Sequence, residues 1–184
     1  DLSQVDIGSG FGKAFAGERL ATLSDFLSVA SGKIKLLIEL KYYGTDPLLA
    51  EETVKMVVSA HAEESVEFMS LDLGGVRQIK GLAPEIPAGY LLAAGLGDTA
   101  PSSVQFIAVP AGQATVERMK AARKKGVKVY AWTVNDIDGI LDLMEMGIDG
   151  VITDDPAMAR KAMDDIRKLS GMERLLFKFR HVWD

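Results

Sequence analysis

The run KIKLLIELK, residues 33–41, predicts a β-strand because its side chains alternate between two faces. The even-numbered positions are all apolar, and an apolar strand face packs well against covering helices. The odd-numbered positions include Leu37 and end in Glu39 and Lys41, so the second face carries two charges at the end of the strand. We therefore expect a sheet that is covered by helices on the apolar face of this strand.

The rest of the chain repeats this unit, because strand-like and helix-like periodicities alternate along it. In the helical segments the apolar residues recur at one face, as they do in Ile137, Ile140, Leu141 and Met144. We predict strands at residues 33–41, 66–71, 89–93, 104–109, 127–134 and 150–153. We predict helices at residues 22–30, 46–63, 113–125 and 136–146 and after Pro156. This order implies a parallel sheet with helices against it.

Two parallel folds fit this order, a doubly wound sheet and a TIM barrel. A Rossmann-type sheet carries a glycine-rich turn after its first strand, but Lys41 is followed by Tyr42 and Tyr43, and no GxGxxG occurs in the chain. We therefore predict an α/β fold, a TIM (β/α)8-type barrel. A complete barrel has eight strands and about 250 residues, so this barrel is incomplete, with about six βα units. Residues 1–168 would form the C-terminal portion of the barrel and residues 169–184 a C-terminal tail.

The composition excludes several kinds of site. The chain has 184 residues, no cysteine, and a net charge of −5 from 21 basic and 26 acidic residues. Without cysteine it cannot form disulfides, thiolate zinc sites or cysteine nucleophiles. The acidic balance argues against nucleic acid as a partner, and no run reaches the roughly 18 apolar residues of a membrane span. His61 and His181 fall on a predicted surface helix and in the tail, so a serine triad or a histidine metal site has little support.

Glu39 and Lys41 are the first candidates for chemistry, since their face of the strand points into the predicted barrel. Barrel enzymes place their active sites at the carboxyl ends of the strands, where both residues fall. A carboxylate and an ammonium aimed at one cavity suit a divalent cation bound by Glu39 and an anionic substrate held by Lys41. A buried ion pair that closes the barrel core explains the same two residues equally well.

Trp132 is a further candidate, near the carboxyl end of the fifth predicted strand. An inward tryptophan there can form the wall of a substrate pocket, or it can simply fill the core. Asn135 follows the same strand, and capping of the next helix is its first explanation. Asp154 and Asp155 precede Pro156, and either of them suits the cap of the last helix.

Three segments carry a combined pattern: IELK at residues 38–41, AWTVND at residues 131–136, and GIDGVITD at residues 147–154 with Pro156 after it. Together they resemble the glycerophosphodiester phosphodiesterase family. Weaker matches lie at residues 6–9, 15–18, 69–72 and 84–89. The order and spacing of the segments match as well, from Asp6 to about Ala159.

The resemblance implies a metal-dependent hydrolase of lipid and glycerol metabolism. Such an enzyme uses a TIM barrel and a divalent cation, Mg or Ca, to cleave glycerophosphodiesters to glycerol 3-phosphate and an alcohol. By resemblance, Glu39 is a metal ligand, Lys41 is a catalytic residue that contacts the phosphate, and Trp132 lines the glycerol pocket. SLD at residues 70–72 and KYYG at residues 41–44 look most like family members that follow a bacterial membrane-embedded region. This resemblance implies a membrane-anchored parent protein.

The sequence departs from the family because the His-Arg-Gly and His-Asp motifs, which hold its proposed acid and base, are absent. We therefore expect the chain to match strands three to eight of the family barrel, to supply only part of the active site, and to be inactive in isolation. The missing N-terminal half of the barrel would complete the site, in the same polypeptide or as a separate chain. Alternatively, a short relative pairs with a second copy and acts as a non-catalytic binding or assembly module.

Overall fold

We describe the fold from a computed structural model, which describes residues 2–44, 46–93, 101 and 103–169. In these residues there are six strands: β1 Leu36–Glu39, β2 Val66–Ser70, β3 Ala88–Leu91, β4 Phe106–Pro110, β5 Lys128–Trp132 and β6 Gly150–Val151. The same residues form six α-helices: α1 Leu23–Ala30, α2 Leu49–Ser59, α3 Leu73–Leu82, α4 Val116–Lys124, α5 Ile137–Met146 and α6 Pro156–Lys168. None of the helices in this part of the chain is long and apolar enough to cross a membrane.

The strands form one parallel sheet in the order β1-β2-β3-β4-β5-β6, so each strand pairs with the next along the chain. The sheet curls: residues 35–37 at one edge and residues 149–152 at the other line a common cavity of about 310 Å³, which shows that the two edges approach each other. The result is a half-barrel of six parallel strands and six helices, with both edges of the sheet open in the described part of the chain. The predicted incomplete TIM-type barrel is thereby confirmed.

The core has two layers, one on each face of the sheet. The outer layer packs strand residues such as Phe68 and Val129 against helix residues such as Val57 and Ile140, all fully buried. The inner layer is smaller and fills the inside of the curl with Met69, Leu91, Phe106 and Ala108, against which Tyr130, Trp132 and Ile152 pack. The predicted apolar face is correct for Leu36, Ile38 and Leu40, which belong to the outer layer. It is wrong for Ile34, which precedes β1 and is 68% exposed.

Side-chain caps begin five of the described helices. The caps are Thr22, Asp72, Thr115, Asp136 and Asp155 for α1, α3, α4, α5 and α6, respectively. Asp155 confirms the predicted cap of the last helix. Asn135 does not cap α5, because the carboxylate of Asp136 accepts the hydrogen bond from the Gly139 amide. The interpretation of Asn135 as a cap is therefore wrong.

The helix α3 was absent from the sequence prediction. Its first turn contains Gly74 and Gly75, which have low helix propensity and weaken the periodic signal. The carboxylate of Asp72 offsets this weakness, because it accepts hydrogen bonds from the amides of both glycines at 2.7 and 3.4 Å. Asp72 thereby starts the helix that follows β2.

Gly89 leaves the space that the inner layer needs. A Cβ atom at this position would lie 2.1 Å from the ring of Phe106, which is 1% exposed and stacks on Tyr130 with ring centroids 4.7 Å apart. We expect Gly89→Ala to lower the free energy of unfolding by about 1–3 kcal/mol, because the stacked ring has no room to move. Denaturant unfolding followed by circular dichroism measures the change.

Gly81→Ala is the matched control for this substitution. Gly81 is an exposed residue of α3, and a Cβ atom there meets no other heavy atom within 4 Å. Because alanine favours a helix over glycine, we expect a gain of roughly 0.5–1 kcal/mol. Equal changes in the two variants would contradict the packing of Phe106 over Gly89.

Candidate functional site

The carboxyl ends of the strands surround a cavity of about 910 Å³. Its lining comes from the ends of β1, β2, β3 and β5 and from the segments that follow β1, β2, β5 and β6. This is the edge of the sheet at which barrel enzymes hold their catalytic groups. The lining residues are Glu39, Leu40, Lys41, Tyr42, Tyr43, Gly44, Met69, Ser70, Leu71, Asp72, Leu73, Leu91, Trp132, Thr133 and Ile152.

Glu39 and Lys41 both line this cavity and form an ion pair, with Lys41 Nζ 3.6 Å from Glu39 Oε2. The Glu39 side chain is 22% exposed and the Lys41 side chain is 57% exposed. Within the described residues the pair is open to solvent and does not fill the core of the half-barrel. Its net contribution to stability is small, and both charged groups can be reached from the cavity.

Ser70 fixes the ends of β1 and β2 beside this pair. Its fully buried hydroxyl donates to the Leu40 carbonyl at 2.7 Å and accepts from the Asp72 amide at 3.0 Å. Leu40 lies between Glu39 and Lys41, so this bond ties the backbone that carries the two charged residues to the neighbouring strand. Ser70 was not predicted as a site residue, because its partner lies thirty positions earlier in the chain.

Trp132 ends β5 and borders both the cavity and the inner core layer. This position is compatible with both predicted interpretations of Trp132, pocket wall and core filling. The peptide bond that it forms with Thr133 is cis. Its indole nitrogen is buried and has no hydrogen-bond partner among the described residues.

Tyr42 adds an aromatic wall that the sequence analysis did not identify. Its ring lies directly over Gly75, where a Cβ atom would come within 2.6–2.9 Å of it. Burial raises the pKa of the Tyr42 hydroxyl, and the negative charges of Asp72 and Asp46 raise it further. The hydroxyl therefore stays protonated at neutral pH, and it has no hydrogen-bond partner within the described part of the chain.

A divalent cation finds few ligands in this part of the chain. Within the described residues, no three His, Asp or Glu side chains lie close enough together to hold a metal ion. Asp72 lines the cavity, but its carboxylate already accepts hydrogen bonds at the start of α3. Because Mg²⁺ and Ca²⁺ take six or more ligands, mostly oxygen, Glu39 alone does not make a complete cation site.

The sequence predicts no catalytic role for His61 or His181. His61 lies in the exposed turn after α2 and does not line the cavity. His181 lies outside the described residues, as does nearly all of the predicted tail. The described part of the cavity therefore contains no histidine.

Comparison with known proteins assigns the chain to a family. The model of the glycerophosphoryl diester phosphodiesterase family matches residues 1–158. The chain belongs to this family of enzymes. The resemblance carried by residues 38–41, 131–136 and 147–154 is thereby confirmed.

Relatives and solved structures agree with this assignment. A glycerophosphodiester phosphodiesterase of Caldanaerobacter subterraneus subsp. tengcongensis is 30% identical over 162 residues, which are 85% of this chain and 67% of that protein. The crystal structure of a glycerophosphodiester phosphodiesterase from Parabacteroides distasonis superposes with a TM-score of 0.79 at 22% identity, over 91% of this chain and 71% of that one. An Oleispira antarctica phosphodiesterase in complex with the product sn-glycerol-3-phosphate has a TM-score of 0.73 and 27% identity, over 89% of this chain and 69% of that one.

Proposed function

We propose that the protein hydrolyses glycerophosphodiesters to glycerol 3-phosphate and an alcohol. The observation that carries this proposal is the convergence of Glu39, Lys41 and Trp132 on one cavity at the carboxyl ends of the strands. The complex of the Oleispira antarctica relative with sn-glycerol-3-phosphate supports the choice of substrate class. In the reaction, water attacks phosphorus, the bond to the alcohol oxygen breaks, and the departing alcohol takes up a proton.

Lys41 and Trp132 contact different parts of the substrate, the phosphate and the glycerol group, respectively. The Lys41 ammonium, 57% exposed, holds a non-bridging phosphate oxygen and stabilises the charge that develops on it during attack. The face of Trp132 packs against the carbon chain of the glycerol group, as indole faces do in pockets for small polar molecules. Together they fix the phosphate between a cation and an aromatic wall.

Glu39 would supply one carboxylate ligand to a divalent cation, Mg or Ca, and the other ligands would have to come from outside the described residues. Such a cation would polarise the phosphoryl group. The ion pair with Lys41 at 3.6 Å keeps both groups on the same side of the cavity. A phosphate bound by Lys41 would therefore lie close to Glu39.

This chain would contribute only part of the active site, and the acid and base would lie elsewhere. Three features support an additional polypeptide against the open side of the barrel. The described edges of β1 and β6 are unpaired, Phe26 and Val29 of α1 are 56% and 68% exposed, and the buried indole nitrogen of Trp132 has no acceptor in the described part. An unmet buried donor costs about 1–3 kcal/mol, which two further strands with polar residues would recover. The N-terminal half of the barrel, rather than a second copy, is the proposed source.

Hydrolysis of glycerophosphocholine tests this function, with release of choline as the measurement. The assay compares this chain with a form extended upstream of Asp1, each with Mg²⁺ or Ca²⁺ and with a chelator. We expect chelator-sensitive turnover in the extended form alone, because a general acid or base contributes 10²–10⁴-fold to the rate and the family motifs proposed to supply them are absent from this sequence. Full turnover by this chain alone would contradict the partial site.

The same assay distinguishes the second candidate, a binding or assembly module. The open edges of β1 and β6 favour self-association, so the oligomeric state is measured by light scattering alongside the assay. No turnover in either form, together with a stable dimer of this chain, would support the module. Turnover in the extended monomer supports the enzyme.

A further inference from the structure

Asn135 joins the loops that follow β5 and β6. Its side-chain oxygen accepts from the Asp154 amide at 2.9 Å and from the Thr153 hydroxyl at 3.1 Å. Its side-chain nitrogen donates to the Asp154 carboxylate at 2.6 Å. Both ends of one amide group therefore bind the opposite loop, and the partners lie eighteen and nineteen positions away in the chain. We call these three hydrogen bonds the Asn135 clamp.

The clamp lies next to the wall of the candidate active site. The strand β6 has only two residues, and the pairing of the two loops continues through the bonds Ile152 N to Ala131 O at 2.8 Å and Val134 N to Ile152 O at 3.0 Å. Trp132 lies between Ala131 and Val134, and both Trp132 and Ile152 line the cavity. Asn135 is the next side chain to tie this segment to the neighbouring strand.

The clamp is exposed to solvent, which limits what it can contribute to stability. Water competes for each of its groups, so the net gain from such bonds is small. Asp155 performs the structural task at this point instead, since its carboxylate accepts from the Met158 amide at 2.9 Å and starts α6. The exposed clamp therefore contributes little to stability, and the observation left to explain is that it links the end of β5 to the loop after β6.

We propose that Asn135 is a positioning residue that holds Trp132 in place as the wall of the substrate pocket. This inference rests on the proposed function, because it assigns Trp132 to the glycerol group. It does not make Asn135 a catalytic residue, since Asn135 does not line the cavity. Asn135 acts through the backbone on which Trp132 is carried.

The test exchanges the amide of Asn135 and the carboxylate of Asp154. Asn135→Asp places a second carboxylate where the amide faced Asp154 at 2.6 Å, so the two groups repel. We expect KM for glycerophosphocholine to rise about 10-fold in the active form, with kcat within about twofold, as is typical when a supporting residue is lost. The double variant N135D/D154N again pairs one amide with one carboxylate. We expect its KM to return close to the value of the unmodified protein.

Tryptophan emission supplies a readout that does not depend on activity. The chain has two tryptophans, so a Trp183→Phe background reports Trp132 alone. In this background we expect Asn135→Asp to shift the emission maximum of Trp132 to longer wavelength, and the double variant to reverse the shift. Absence of turnover in all forms would refute the proposed function, whereas the emission still decides the positioning role.

Asp155→Ala is the matched control, because it removes the cap of α6 and leaves all three bonds of the clamp in place. We expect it to lower the melting temperature while KM and the Trp132 emission stay unchanged. A purely structural role for Asn135 predicts that its variants behave like Asp155→Ala. That result, an unchanged emission in Asn135→Asp, or no recovery in the double variant would overturn the proposal.

Discussion

Glu39→Gln is expected to lower kcat/KM of the active form by about 100-fold or more. Loss of a residue that only hydrogen-bonds to a metal ligand lowers metal affinity or activity by 10–100-fold. We propose that Glu39 is itself a ligand, so its loss should cost at least as much. The substitution keeps the shape of the side chain and removes its charge. It also removes the carboxylate that lies 3.6 Å from Lys41 Nζ, so the cation-binding half of the pair is lost while the phosphate-binding half remains.

The decisive measurement is the cation concentration that gives half-maximal activity. We expect it to rise in Glu39→Gln, since one oxygen ligand loses its charge. Glu67→Gln is the matched control, because Glu67 is a partly buried carboxylate of β2 that accepts from the Tyr130 hydroxyl at 3.0 Å and does not line the site. A glutamine there still accepts this bond. Unchanged activity in Glu39→Gln would remove Glu39 from the site.

The fold was accessible from the sequence because strand alternation is a local property. The side chains of a strand alternate with a period of two whatever surrounds it, so the outward positions of Leu36 and Ile38 and the inward position of Glu39 followed from residues 33–41 alone. The strand bounds were less accurate, since β1 covers only Leu36–Glu39. Strand ends depend on where a neighbour stops pairing, and β2 pairs with β1 only over these four residues.

The site was accessible only where a general rule of the fold applies. Polar and aromatic residues at the carboxyl ends of barrel strands point to the active site, which singled out Glu39, Lys41 and Trp132. Tyr42 was not found, because its place over Gly75 depends on α3, a helix that the sequence analysis had missed.

Asn135 shows a second reason for failure, competition between two equally good local explanations. Asn135 and Asp136 both suit the cap of α5, and the chain uses Asp136. This leaves Asn135 free to bind Asp154 and Thr153, which belong to another loop. Such long-range contacts have no signature in the order of the residues.

Lys41→Met is expected to lower kcat/KM by 10²–10³-fold, or about 3–4 kcal/mol of transition-state stabilisation. Methionine keeps much of the length of the side chain and removes the ammonium, so the phosphate loses the cation that this chain offers it in the proposed site. The effect should fall mainly on kcat, because negative charge on the phosphoryl oxygens increases as water attacks. Lys41→Arg should retain part of the activity, since it restores the charge with a different geometry.

A surface lysine in a similar ion pair is the matched control, because it distinguishes phosphate binding by Lys41 from the general effect of removing one positive charge. Lys55 of α2 lies 3.7 Å from Glu52, and its side chain is 69% exposed. Lys55 does not line the cavity of Lys41, so Lys55→Met removes the same charge outside the site. Exposed pairs of this kind contribute about 0–1 kcal/mol to stability, and we expect Lys55→Met to keep full activity. If Lys41→Met behaves like Lys55→Met, the ion pair at the end of β1 is an ordinary surface pair and the phosphate is held elsewhere. If only Lys41→Met fails, while its melting temperature stays within a few degrees of the unmodified protein, the ammonium acts on the substrate and not on the fold.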